Sequence, residues 1–171
     1  MHRYKRIAIC AIFVCLQTLL WSGVVQVESV AYNDTSAWWN AFTYIFFHAN
    51  IFHLVVNILS LYGILRRWRI CAIHFGIALV CAVIAAFLTA HEAYTLGCSG
   101  FILAISGIIS SWHPKAKNIF ISLGFLLAFC LIPNINGMLH IVAWVGGFVM
   151  GRIRVMYLRY QYDRKGYNIG K

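Results

Sequence analysis

The chain has 171 residues, 62% of them hydrophobic and only 11% charged, with a formal net charge of +10. A soluble domain carries about 25% charged residues, so a water-soluble fold is excluded and an integral membrane protein of one transmembrane domain is expected. The charge alone admits a nucleic-acid partner, but its placement along the chain assigns it to lipid instead.

Six apolar segments follow one another, at residues 7–27, 42–65, 70–90, 99–112, 119–132 and 137–151. Each is near the roughly 20 residues a spanning helix needs. The last three are short, as for helices that begin below the membrane surface or sit in a thinned bilayer. The first is longer than a signal-peptide core, and the even number of spans requires it, so it is read as uncleaved. Arg3, Lys5 and Arg6 precede the first segment; Arg66, Arg67 and Arg69 separate the second from the third. Lys115 and Lys117 separate the fourth from the fifth, and Arg152, Arg154, Arg159, Arg164, Lys165 and Lys171 follow the sixth. These are all 14 basic residues, and three of the four acids, Glu28, Asp34 and Glu92, fall in the alternate loops. The positive-inside rule therefore puts both termini in the cytoplasm. The basic residues read as topology signals and contacts to anionic lipid, with no nucleic-acid partner expected.

Between the first and second segments lies the longest loop, 28–39, ending in Trp38-Trp39, a pair suited to the membrane interface. The second segment carries His48, His53 and Asn57. Polar side chains at such depth are costly and mark either function or helix pairing. On a continuous helix His53 and Asn57 share a face, while His48 is turned about 140° from His53, so His48 reads as structural and directed away from that face. In the third segment His74 and His91 read as interfacial, without a role. Cys10, Cys15, Cys71, Cys81, Cys98 and Cys130 lie in apolar segments without metal-type spacing and read as small buried hydrophobes. No metal and no cofactor is expected.

The fourth segment opens with Gly97-Cys98-Ser99-Gly100. Glycine lets a substrate backbone approach closely, and a helix N-terminus offers unpaired N–H groups and partial positive charge. The tetrapeptide therefore suits a nucleophile beside donors for an oxyanion, although Phe101 breaks the soluble-hydrolase pattern G-x-S-x-G. Gly100, Ala104 and Gly107 line one side of this segment, and Pro114 ends it. The fifth segment ends at Pro133-Asn134. Asn136-Gly137-Met138-Leu139-His140 then leads into the sixth, where His140, Ala143, Gly147 and Gly151 form a small-residue seam headed by a histidine. Residues 152–171 form a basic tail with Tyr157, Tyr160, Tyr162 and Tyr167, expected to continue the last helix along the cytoplasmic membrane surface.

Spans two, four and six all run from outside to inside. His53 and Asn57, Ser99 and His140 therefore lie at similar depth in the outer half, and glycine seams on spans four and six bring Ser99 toward His140. A nucleophile, a base and further donors in one water-poor site is what acyl transfer requires.

These residues resemble the rhomboid family of intramembrane serine proteases. The resemblance rests on Trp39-x3-Thr43-x4-His48-x4-His53-x3-Asn57, on Gly97-Cys98-Ser99-Gly100, and on Asn136-x3-His140 with its seam, and it spans about 38–151. It implies an all-α polytopic membrane protein, a six-transmembrane-helix bundle over 1–151 with both termini cytoplasmic, of the small bacterial type in a bacterial cytoplasmic membrane. It implies that Ser99 is the nucleophile and His140 its base, a dyad without an acid. His53, Asn57 and the Ser99 backbone N–H then form the oxyanion hole, flanked by Gly97 and Gly100. The substrates it implies are membrane proteins cut near the outer end of a transmembrane segment, at a small residue followed by helix-weakening residues. Three positions depart from the family pattern. Asn40 replaces the arginine after the loop tryptophan, which puts the anchoring of the loop in question. Leu103 replaces an aromatic four residues after the serine, and Ala143 replaces a glycine three residues after the histidine. Two rivals stay open. One is a catalytically inactive rhomboid-like binder of membrane proteins, whose usual mark is loss of the serine or histidine. The other is a transporter or haem-binding bundle that faces His53 and His140 across a pore or porphyrin.

Overall fold

The computed structural model describes residues 3–112, 119, 122–124, 126–127 and 136–164. The fifth expected span lies mostly outside these residues, and Pro114, Lys115, Lys117, Cys130, Pro133, Asn134, Lys165, Tyr167 and Lys171 lie outside them altogether. Every element among the described residues is a helix, with no strand among them. Helices α1 (Arg3–Trp21), α2 (Val27–Val30) and α3 (Asn40–Thr43) lead through a 3₁₀ turn (Tyr44–Phe46) into α4 (Ile51–Arg67); α5 (Ala72–Leu88), α6 (Ser99–Trp112) and α7 (Gly137–Arg164) follow.

Among the described residues two helices, α1 and α7, are long and apolar enough to cross a membrane, and α3 with its 3₁₀ turn and α4 make a third if that bent pair is one span. Helices α5 and α6 are shorter apolar helices of 17 and 14 residues. The chain is thus an integral membrane protein. At 1.5 Å per residue α6 rises only about 21 Å against a hydrocarbon core of about 30 Å.

Two expectations need correction. The first span ends at Trp21, not at 27, where Gly23 takes a φ of 77° and turns the chain. The second span is not one helix from 42 to 65. Its two parts meet at 86°, because Phe47 and Asn50 have extended backbones and the Asn50 side chain accepts a 2.9 Å bond from the His53 N–H, starting a new helix there. The last helix runs unbroken for 28 residues, from Gly137 to Arg164. Its continuation past Gly151 agrees with the helix expected for the tail.

Helix α6 sits at the centre, flanked by α4, α5 and α7, and α1 packs on α4. Ala104, Ile105 and Ile108 of α6 have no exposed surface. The closest approach is between α6 and α7: a Cβ on Gly107 would run into the Trp144 carbonyl, and one on Gly147 into the Ala104 carbonyl. Between helices in lipid such close packing supplies dispersion contact where a hydrophobic driving force is missing. Residues 32–34 are tied to the turn before Gly97. Tyr32 and Thr95 exchange backbone bonds of 3.1 and 2.7 Å, and the Asp34 N–H donates to the His91 carbonyl. Trp38 and Trp39 are exposed.

Candidate active site

The site is built where three helix ends meet. Gly97 has a φ of 117°, a conformation side chains resist. Its N–H donates to the Tyr44 carbonyl at 2.9 Å. The next residue, Cys98, donates its N–H to His48 Nε2 at 3.4 Å, and its carbonyl accepts from Ile102 as α6 begins. The chain is thereby held on both sides of the turn that delivers Ser99 to the first position of α6.

His140 arrives from the first turn of α7. Asn136 caps that helix, accepting the Leu139 N–H at 3.0 Å on Oδ1. Its Nδ2 donates to the Thr89 carbonyl at 3.1 Å and lies 3.3 Å from Thr89 Oγ1, fixing the start of α7 to the end of α5. With the α6–α7 seam setting the other coordinate, Ser99 Oγ and His140 Nε2 stand 2.7 Å apart, and the imidazole is buried. A hydroxyl and a ring nitrogen at that distance can exchange a proton directly.

His53 and Asn57, one turn apart on α4, are aimed at the Gly97 turn. A Cβ placed on Gly97 would stand 2.5 Å from His53 Cε1, 2.8 Å from its Nε2 and 3.4 Å from Asn57 Nδ2. The Asn57 amide nitrogen is buried and has no partner, so it is a donor held ready. Gly100 faces the Leu139 side chain and the Tyr44 hydroxyl. The six residues singled out in the sequence thus come together around one turn.

His48 does not point where the helical spacing put it. It lies in the break before α4, so the 140° offset does not apply, and its ring stands edge-on to His53 with centroids 5.2 Å apart. It is fully buried directly behind the turn. Asn40, whose substitution for arginine questioned the loop anchoring, is itself an anchor: Nδ2 donates to the Ala31 carbonyl at 2.8 Å and the Glu28 carbonyl at 3.1 Å. His74 is more than interfacial. Its Nδ1 lies 3.0 Å from the Cys71 thiol and accepts the Cys71 N–H, capping α5. Sequence reasoning missed Tyr44 and Gln17, both without exposed surface; a lone glutamine in an apolar span was the available signal.

A protein-family model described as Rhomboid domain matches residues 35–161. No curated protein matches the chain.

Proposed function

Since the chain belongs to the rhomboid family, generally intramembrane serine proteases acting on membrane-protein substrates, we propose that it is an active serine endopeptidase with Ser99 and His140 as its dyad. The observation that carries this reading is the 2.7 Å contact between Ser99 Oγ and His140 Nε2.

In this reading Ser99 Oγ attacks the scissile carbonyl while His140 Nε2 takes its proton. The negative charge that develops on the carbonyl oxygen is met by His53, by Asn57 Nδ2 and by the Ser99 N–H, which the start of α6 leaves without a helical partner. Collapse of the tetrahedral intermediate breaks the C–N bond, and His140 returns the proton to the leaving amine. Water then attacks the acyl-enzyme, with His140 as base and then acid, which frees the new carboxyl end and restores Ser99. The ready Asn57 donor and the absence of a side chain on Gly97 support the same assignment.

A helical peptide bond is hydrogen-bonded and shielded, so the substrate must unwind to be cut. The substrates of this reading are membrane proteins with helix-weakening residues, cut near the outer end of a transmembrane segment in a bacterial cytoplasmic membrane, with both termini of the enzyme cytoplasmic. The test is a tagged single-pass substrate in proteoliposomes, with fragments sized by mass spectrometry. One cut near the extracytoplasmic end, lost in Ser99→Ala and in His140→Ala, is expected. Cutting at the wild-type rate by either variant would overturn the dyad, and a cytoplasmic cut would overturn the orientation.

A further inference from the structure

Gln17 is a primary amide toward the C-terminal end of the apolar helix α1. Burying such a group is unfavourable unless its hydrogen bonds are met inside the protein. It has no exposed surface, and it turns both ends of its amide on one residue. Nε2 donates to the His48 carbonyl at 3.0 Å, and the His48 N–H donates to Oε1 at 2.5 Å. His48 lies in the break between the 3₁₀ turn and α4, where the backbone lacks helical partners. Gln17 therefore stands in for the missing backbone pairing across that break.

The imidazole of the residue so held reaches both parts of the oxyanion side of the site. His48 Nε2 accepts the Cys98 N–H at 3.4 Å, one residue before Ser99, and its ring abuts that of His53, which faces Gly97. Phe13, one turn before Gln17 on α1, stands edge-on to His48 with ring centroids 6.3 Å apart. Neither Gln17 nor Phe13 lies within the residues matched by the family model.

We propose that Gln17 is a positioning residue for the proteolytic reaction. Through His48 it fixes Cys98, and hence the direction of the Ser99 N–H, together with the ring of His53. The inference rests on the proteolytic reading above and extends the working site onto α1, which is then more than a membrane anchor. Gln17 itself touches no reacting atom.

The test compares wild type with Gln17→Leu, which removes both bonds at similar volume, in purified full-length protein. Competent sites are counted by end-point labelling with a fluorophosphonate, and kcat per labelled site and KM are measured on a transmembrane peptide. We expect kcat per labelled site to fall on the order of 10- to 100-fold with KM nearly unchanged. A role in stability alone would lower the number of labelled sites and leave kcat per site at the wild-type value, and that result overturns the proposal. If Gln17→Leu does not fold, Gln17→Asn is read the same way, since it keeps an amide in the cavity but draws it back by one methylene. Failure of both to fold assigns Gln17 to the fold and likewise overturns the proposal. A wild-type protein that neither labels at Ser99 nor cuts removes the proteolytic reading itself, whereas an active wild type beside an unaffected Gln17→Leu sinks this proposal alone.

Discussion

Replacing Gly97 by alanine should damage the site by a calculable displacement. The added Cβ would stand 2.5 Å from His53 Cε1 and 2.8 Å from Nε2, where ordinary contact begins at 3.4 Å. The ring or the turn must therefore yield by 3.4 − 2.5, or about 0.9 Å. A shift near 1 Å in a catalytic group costs about 10²-fold in rate, equivalent to roughly 2.7 kcal/mol of barrier. The φ of 117° adds strain of about 1–3 kcal/mol to the folded state of any residue with a side chain. We therefore expect Gly97→Ala to lower the melting temperature and, in the protein that remains folded, to lower kcat about 100-fold. Gly76→Ala is the control, because a Cβ there meets nothing within 4 Å and alanine is the better helix former by about 1 kcal/mol. The assay is cleavage of a fluorogenic transmembrane peptide, normalised to fluorophosphonate-labelled sites, beside a thermal melt. Wild-type turnover by Gly97→Ala would refute the placement of His53 against this turn.

Asn57→Ala should slow turnover by about 10²–10³-fold, as for an oxyanion donor elsewhere, with little change in melting temperature, because the Nδ2 it removes has no partner to leave behind; a large loss of stability with normal turnover would contradict this. Gly147→Ala drives a methyl into the Ala104 carbonyl and should cost about 1–3 kcal/mol by overpacking, visible as a lower melting temperature. Asn136→Ala removes the cap of α7 and its tie to Thr89, so it should cost about 0.5–2 kcal/mol of stability and lower kcat by loosening His140. A reporter fused after Lys171 should read as cytoplasmic, and an extracytoplasmic reading would refute the orientation drawn from the basic residues.

The elements most legible in the sequence were those whose signals are local. Helix α6 starts and ends at the residues where its apolar run does, 99 and 112. The small residues Gly107 and Gly147 read as a seam because lack of a side chain matters only where backbones meet, and they meet there. The Ser99–His140 approach followed from that seam. The break at 47–50 was hidden because no proline or glycine marks it, and an apolar run reads through it; its one local sign is Asn50, a good helix cap. Missing the break misplaced His48, since a helical wheel has no meaning across an 86° bend. The run of α7 past Gly151 was legible because no helix breaker follows before Gly166, so the basic tail read as its continuation. The partners of Gln17 and Asn40 are set by tertiary contacts 31 and 9 residues away along the chain, which periodicity does not report.

The most direct test of the central claim is mass-spectrometric mapping of a fluorophosphonate adduct on the full-length protein in detergent or lipid. The account predicts a single adduct on Ser99, formed at a rate that His140→Ala abolishes and Gly76→Ala leaves unchanged. No adduct on wild-type Ser99, or equal labelling in His140→Ala, would contradict it.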